Sequence, residues 1–307
     1  MWFIIRELFM TRLSVLALCS AALIGGPAMA QEKSQAAETF FKNKLTSQVQ
    51  SSTVQALESL VDGLEITIGD IEDQDTSYSL LKVQPLVDDV ENGTAIFLQV
   101  SANRTANRNT ANIGLGYRKL VADGKIILGA NGFYDSEWTY EHERASAGFE
   151  VLSSVGDFRY NQYFAISDGV TGAGGAEERA LDGFDAEIAV PLPYLPQTKL
   201  HAKAFKFDSD DVATVVEGQT YSLRSALPYS FTIELGTTSY EDTTADQDYA
   251  TLSYRLALGS SSPAPTTFIS DVAYQLSPVR DRRFEKVRRA NTIAKSGGAF
   301  VVSVSGV

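Results

Sequence analysis

Residues Asp248–Leu258 read DYATLSYRLAL. On an extended chain Ala250, Leu252, Tyr254, Leu256 and Leu258 share one side, and Thr251, Ser253 and Arg255 the other. Successive side chains of a strand point to opposite faces, so this period of two predicts a strand with one apolar and one polar face. The pattern recurs. Ala145, Ala147, Phe149 and Val151 oppose Arg144, Ser146, Gly148 and Glu150, and Phe184, Ala186, Ile188 and Val190 oppose Asp185 and Glu187. Twelve such segments follow Gly63, most of them about ten residues long, the length of a membrane-crossing strand.

Alternation alone fits two folds. A soluble β-sandwich turns its apolar face inward, whereas an outer-membrane barrel turns it to lipid and its polar face to a wet lumen. The connections separate them. VDDVEN, VADG, SSVG, YLPQT and PY are short; SEWTYEHE, DGVTGAGGAEERALD, DSDDVATVVEG and EDTTADQ are long; and the two sets alternate along the chain. Short periplasmic turns and long outer loops are the mark of an up-and-down transmembrane barrel. The sequence therefore predicts an all-β, 12-stranded antiparallel transmembrane barrel. It must close, because an unpaired strand edge in hydrocarbon leaves bare N–H and C=O groups at several kcal/mol each. Its lumen would hold an extended chain or a small plug. Ile113, Leu115, Ala147, Phe149, Leu252, Tyr254 and Leu256 are the candidate lipid-facing residues. Asp185, Glu187, Glu234 and Arg255 are the candidate lumen-facing ones. Trp138, Tyr140, Tyr134, Tyr254 and Phe164 are candidates for the interfacial aromatic girdles.

The first 30 residues read differently. Arg12 precedes the apolar run LSVLALCSAALIGG, and PAMA then leads to Gln31. A basic start, a short apolar stretch and small residues before a cut make a cleaved signal peptide. The only cysteine, Cys19, lies within it, so the mature chain would have no disulfide. Residues 31–62 have Phe41, Leu45, Val49, Leu57 and Val61 near one face of a helix. The expected organisation is a signal peptide over 1–30, a periplasmic helical lead-in over 31–62, the barrel over 63–258, and a periplasmic helix with a pore-threading tail over 259–307.

The formal net charge is −12, which argues against a partner recognised through nucleic-acid phosphates. His142 and His201 are the only histidines, too few for a metal site without carboxylates at defined spacing. No nucleophile-elbow or phosphate-loop motif occurs, and GVTGAGG lies between strands, not before a helix. No catalytic, metal or cofactor site is expected. Asp208, Asp210, Asp211, Glu241 and Asp242 read as solvated loop charge.

Several stretches resemble one family. RNTANIGLGYR (Arg108–Arg118), ILGANGFYD (Ile127–Asp135), RASAGFEV (Arg144–Val151), DGFDAEIAVPLPYLP (Asp182–Pro196) and RRFEKVRRANTI (Arg282–Ile293) occur in order. Together they are similar to the inverse autotransporter β-domain, the membrane barrel of the intimin and invasin adhesins. The resemblance implies an outer-membrane barrel of a Gram-negative bacterium with a periplasmic N-terminus. It implies that the chain leaves the last strand into the periplasm, forms a short helix, then returns through the pore to carry an adhesive passenger of immunoglobulin-like domains. On that basis SPVRDRRFEKVRRANTI is the expected helix at the periplasmic mouth. Arg280, Arg282, Arg283, Phe284, Lys286, Arg288, Arg289, Asn291 and Ile293 are the candidate plug and linker residues, their cations facing Glu187, Glu234 and Asp185. AKSGGAFVVSVSGV (Ala294–Val307) would be the segment in the pore. At roughly 3.3 Å per residue it could span an apolar band about 25 Å tall.

No passenger follows Val307, and no peptidoglycan-binding domain of the LysM type precedes the barrel. Three readings stand. The chain is the translocation and anchoring domain for a surface adhesin absent from it, a stand-alone plugged pore or structural outer-membrane protein, or a soluble secreted β-sandwich binding module. The expected partners are outer-membrane lipid and lipopolysaccharide, the barrel-insertion machinery that would read the last strand, and a separately encoded passenger. The barrel is expected to be a monomer.

Overall fold

The computed structural model describes residues 62–71, 76–172, 175, 177–209, 212–241, 246–256 and 268–296. The expected signal peptide and the helical lead-in up to Val61 lie outside the described residues, as do the acidic positions Asp210, Asp211 and Asp242 and the last eleven residues of the chain.

The alternating segments form strands β1 (Glu65–Ile71), β2 (Ser77–Asp89), β3 (Thr94–Thr105), β4 (Arg108–Val121), β5 (Ile126–Glu137), β6 (His142–Ser153) and β7 (Asp157–Ala165). After a two-residue pair, β8 (Val170–Thr171) and β9 (Glu177–Glu178), come β10 (Asp182–Leu192), β11 (Leu195–Ser209), β12 (Val212–Ala226), β13 (Phe231–Tyr240) and β14 (Gln247–Arg255). Leaving out the small β8–β9 pair, twelve strands run up and down, each antiparallel to its neighbours in the chain, and close into one barrel. Closure joins β1 to β14 in register from Glu65↔Arg255 to Ile71↔Tyr249. One closed sheet replaces the two facing sheets that a soluble sandwich requires, so that alternative falls.

The faces are inverted relative to a soluble protein. On β4, Ile113, Leu115 and Tyr117 are exposed, while Asn112 and Arg118 between and beside them are buried. Among the described residues no helix is long and apolar enough to cross a membrane; the strands do the crossing. The interior holds three apolar clusters, and the chain after the barrel contributes to each. Val279 packs with Ile127 and Leu152. Val287 packs with Leu81, Val83, Phe97 and Phe133. Ala290 and Ala294 pack with Tyr163, Leu181, Phe205, Phe207, Val216 and Tyr240.

The connections depart from expectation. SEWTYEHE is half strand, because β5 runs to Glu137 and β6 starts at His142. β11 and β12 extend to Ser209 and from Val212, leaving two residues between them. β3 and β4 meet at Ala106 and Asn107, both with positive φ (48° and 62°), as a two-residue hairpin turn that matches strand twist requires. Backbone N–H and C=O groups beyond the barrel wall still need partners, and prolonging the ladder supplies them. The connection over 166–181 is the longest between the described strands.

The described residues divide into two compact units. One is the barrel with the segment from Phe268 to Ser296; the other includes Gly63, Pro228–Ser230 and Leu256. Within the second unit the Gly63 N–H donates to the Leu256 carbonyl at 2.7 Å. Leu256 was expected on the outward face, but it is 1 % exposed. β14 ends at Arg255, so strand alternation does not reach it.

Candidate functional site

The chain from Phe268 onward first runs along one rim. The Ser270 N–H donates to the Tyr194 carbonyl, the Ser277 N–H to Ser154 Oγ, and the Val279 N–H to the Gly124 carbonyl. It thus passes the β10–β11, β6–β7 and β4–β5 turns in succession. Arg280–Phe284 then make one short 3₁₀ turn. This corrects the expected helix over Ser277–Ile293. Beyond Glu285 the backbone is neither helix nor regular strand, bends at Arg289 and Thr292, and enters the lumen.

The entry is held by charge. Arg282 forks onto both Asp157 oxygens at 2.8 and 2.9 Å and reaches Glu285 at 2.7 Å. Arg118 donates to the carbonyls of Arg283 and Glu285 from within the wall. Burial pushes the Glu285 carboxyl up, but the Arg282 and Arg159 guanidiniums beside it hold it well below the usual carboxylate range. Arg283 lies outside this entry, on Asp88 at 2.7 Å, and Arg280 is exposed beside the Gly124 turn. Neither faces the lumen acids. Phe284 stands edge-on to Phe97, with ring centroids 6.4 Å apart.

Inside, the wall meets the tail's backbone one group at a time. Gln99 accepts from the Val287 N–H at 2.8 Å and donates to its carbonyl at 3.3 Å. Asn161 donates to the Arg288 carbonyl, Arg144 to the Ala290 carbonyl, and Asn112 to the Asn291 carbonyl. The Ala290 N–H donates to the Tyr163 hydroxyl at 2.8 Å. A chain in a narrow interior cannot leave these groups bare without a cost of about 1–3 kcal/mol each. Side chains stand in for a neighbouring strand.

The tail's cations reach separate walls. Lys286 pairs with Glu65 on β1. Arg288 bridges Glu187 on β10 at 2.9 and 3.1 Å and Glu234 on β13 at 3.2 Å. Arg289 forks onto Asp135 on β5 at 2.9 and 2.6 Å and lies over the Phe133 ring. Lys295 pairs with Glu137. A helix would stack i and i+4 side chains on one side. Adjacent helical residues lie about 100° apart, so the near-opposite placement of Arg288 and Arg289 suits the non-helical backbone found here. Asp185, an expected partner of these cations, instead accepts from Asn161 and from the Tyr163 hydroxyl.

At the far end the tail pairs with the chain between β9 and β10. The Leu181 N–H donates to the Ala294 carbonyl and the Ser296 N–H to the Arg179 carbonyl, with Lys295 opposite Ala180 in an antiparallel bridge. Arg108 binds both Glu137 and Glu178 beside it. The lumen is therefore crossed by 286–296, upstream of the expected Ala294–Val307. Eleven residues at roughly 3.3 Å suffice for the apolar band.

The remaining expected positions are placed as follows. Asp185, Glu187 and Glu234 are buried within the barrel, and Asn291 and Ile293 are buried along the tail. Arg255 points to the lumen side by strand parity but is exposed at the end of β14. Ile113, Leu115, Ala147 and Phe149 are exposed on the outer face, with Leu252 and Tyr254 half-buried there. Of the aromatic candidates, Trp138, Tyr134 and Phe164 are exposed, whereas Tyr140 lies under the Arg108 guanidinium. Sequence reasoning missed Gln99, Asn112, Asp135, Arg144, Asn161 and Tyr163. All sit on the inward parity of their strands, so the alternation carried the signal. No group of three His, Cys, Asp or Glu among the described residues is arranged to hold a metal ion.

A closed antiparallel sheet with an apolar exterior, a charged lumen and its own chain running through that lumen defines an outer-membrane β-barrel with a threaded segment. The model of the inverse autotransporter β-domain matches residues 20–291, and this chain belongs to that family. A protein solved in work on the in-meso crystallization of membrane proteins is 20 % identical, with a TM-score of 0.63 over 76 % of this chain and 97 % of that one. KdgM porin, at 10 % identity and a TM-score of 0.42, covers 62 % of this chain and 97 % of its own. The outer membrane phospholipase of Salmonella typhi, at 8 % identity and 0.40, covers 63 % and 90 %. Comparison with curated proteins finds no match.

Proposed function

We propose that this outer-membrane barrel anchors and exports a passenger, holding the post-barrel segment on its way from the periplasmic mouth to the surface. The observation that carries the reading is the run 286–296, whose backbone is met by Gln99, Asn161, Arg144 and Asn112 between the entry at Glu285 and the bridge to Ala180. These four contacts are made to backbone, which every residue carries, so they suit a chain that slides through during export. The short-turn rim is then periplasmic, and residues 1–30 are a cleaved export signal. Ile113, Leu115, Ala147, Phe149, Leu252 and Tyr254 meet hydrocarbon. The barrel works as a monomer, is not an enzyme, and has lipid, lipopolysaccharide and the insertion machinery as partners. Its cargo is an adhesin, covalently attached or separately encoded.

A second reading is a permanently plugged pore. The buried forks of Arg288 and Arg289 support it. An epitope tag after Val307 separates the two. Export predicts that antibody or protease reaches the tag on intact cells. If the tag is reached only after the outer membrane is opened, the export reading is lost and the plug remains.

A further inference from the structure

The segment 268–276 carries a row of large apolar side chains that the barrel does not cover. Ile269 is 72 % exposed, Tyr274 54 %, and Phe268, Val272 and Leu276 are also exposed. They cannot fold back, because their backbone is pinned. Ser270 donates to the Tyr194 carbonyl, Tyr194 donates to the Ala273 carbonyl, and Ser154 Oγ donates to the Gln275 carbonyl. The only ionisable groups in the stretch are Asp271 and the Tyr274 phenol.

Its position says what covers it. The turns to which it is tied end strands whose outward faces are apolar almost to the rim. Phe158 is the second residue of β7, and Val190 lies two residues before the end of β10; both are exposed. Tyr194 and Leu195, at the β10–β11 turn itself, are exposed as well. The row is thus continuous with the apolar belt that faces lipid. Tyrosine rings at such a level suit the headgroup region, with an apolar body and a polar tip.

We infer that residues 268–276 form an interfacial strap that inserts its apolar side chains into the lipid leaflet at the rim of the barrel. The strap would fix the post-barrel chain on the membrane surface before Arg280–Phe284 turn it into the lumen. An apolar strand held on the interface loses little by staying there, since binding scales with the apolar area it buries.

The test places a fluorophore in the strap. In a Cys19→Ser background no cysteine remains, so single Ile269→Cys, Tyr274→Cys, Ile188→Cys and Asp281→Cys variants can be labelled with an environment-sensitive dye. Each is reconstituted into phosphatidylcholine vesicles with or without bromines placed high on the acyl chain. Folding is checked by the heat-induced gel shift. The strap predicts that labels at 269 and 274 lose at least about twofold more fluorescence to brominated lipid than the label at 281, approaching the belt control at 188. Quenching at 269 and 274 no greater than at 281 overturns the inference. So does a blue-shifted label untouched by bromine, because a second copy or another protein segment would then cover the row.

Discussion

Arg288 shows what a buried ion pair does in this lumen. Its guanidinium ties two strands that are not neighbours, through Glu187 and Glu234. Removing one partner of a buried pair leaves the other desolvated, typically at a cost of about 3–5 kcal/mol. Arg288→Ala is expected near the low end, because Arg159 and His201 also reach Glu187, and Arg224 reaches Glu234. Urea unfolding from vesicles would show the loss, and Arg288→Lys should recover little of it, since one ammonium cannot fork onto two carboxylates. Arg283→Ala, which breaks the exposed pair with Asp88, should leave the same transition unmoved. Glu285 gives a pH test with a defined sign. Its carboxyl is held below its unfolded value, which is about 4.3, so its stabilising contribution is full above that value and falls as acid protonates the folded group. The gap between wild type and Glu285→Gln should stay constant from neutral pH down to about 5 and close in stronger acid. A gap that closes instead near neutrality would show that Arg282 and Arg159 do not hold the charge.

The outward parity of the strands is mostly apolar, so a charge added mid-strand on that side should be costly. Ala147 lies mid-strand, opposite Gly132 and Gln162, and Leu252 opposite Ile68 and Ile233. Arginine at either position should cost about 2–4 kcal/mol near the bilayer midplane. Unchanged stability in both Ala147→Arg and Leu252→Arg would contradict the lipid-facing role proposed for that face. Much of this was legible in the sequence, since period-two alternation fixes both the strands and their faces. Three things were not. Helix propensity in RRFEKVRRANTI is local, but the partners that overrule it, such as Glu65, Asp135 and Glu187, are far apart in the chain and meet only after closure. The outer connections looked like loops because their residues are polar, yet ladder hydrogen bonds carry β11 and β12 through them. The place where the tail crosses was set eight residues too late, because small and β-branched residues marked Ala294–Val307 as strand while the charged run before it did not look extended.

At the scale of the whole molecule, the threaded segment predicts a closed pore. Side chains of Val287, Ala290 and Ala294 fill the interior clusters, and Arg282, Lys286, Arg288, Arg289 and Lys295 offset acids on the wall. Deleting residues 277–307 removes both the packing and these cations at once. Asp135 and Glu187 then keep wall partners in Arg144 and Arg159, so the empty lumen has a way to stay folded. Glu65 loses Lys286, and the field in the pore shifts toward negative. A pore lined by one sign of charge concentrates the opposite ion. The truncated barrel should therefore conduct in planar bilayers, where the full chain is nearly silent, and it should prefer cations. Deleting only 297–307 keeps the contacts of Lys286 through Ser296 with the wall and should leave the barrel closed. Equal conductance of the full and truncated chains would mean that the tail does not seal the lumen. Anion preference in the truncated barrel would mean that the wall arginines, not the acids, set the field once the tail has gone.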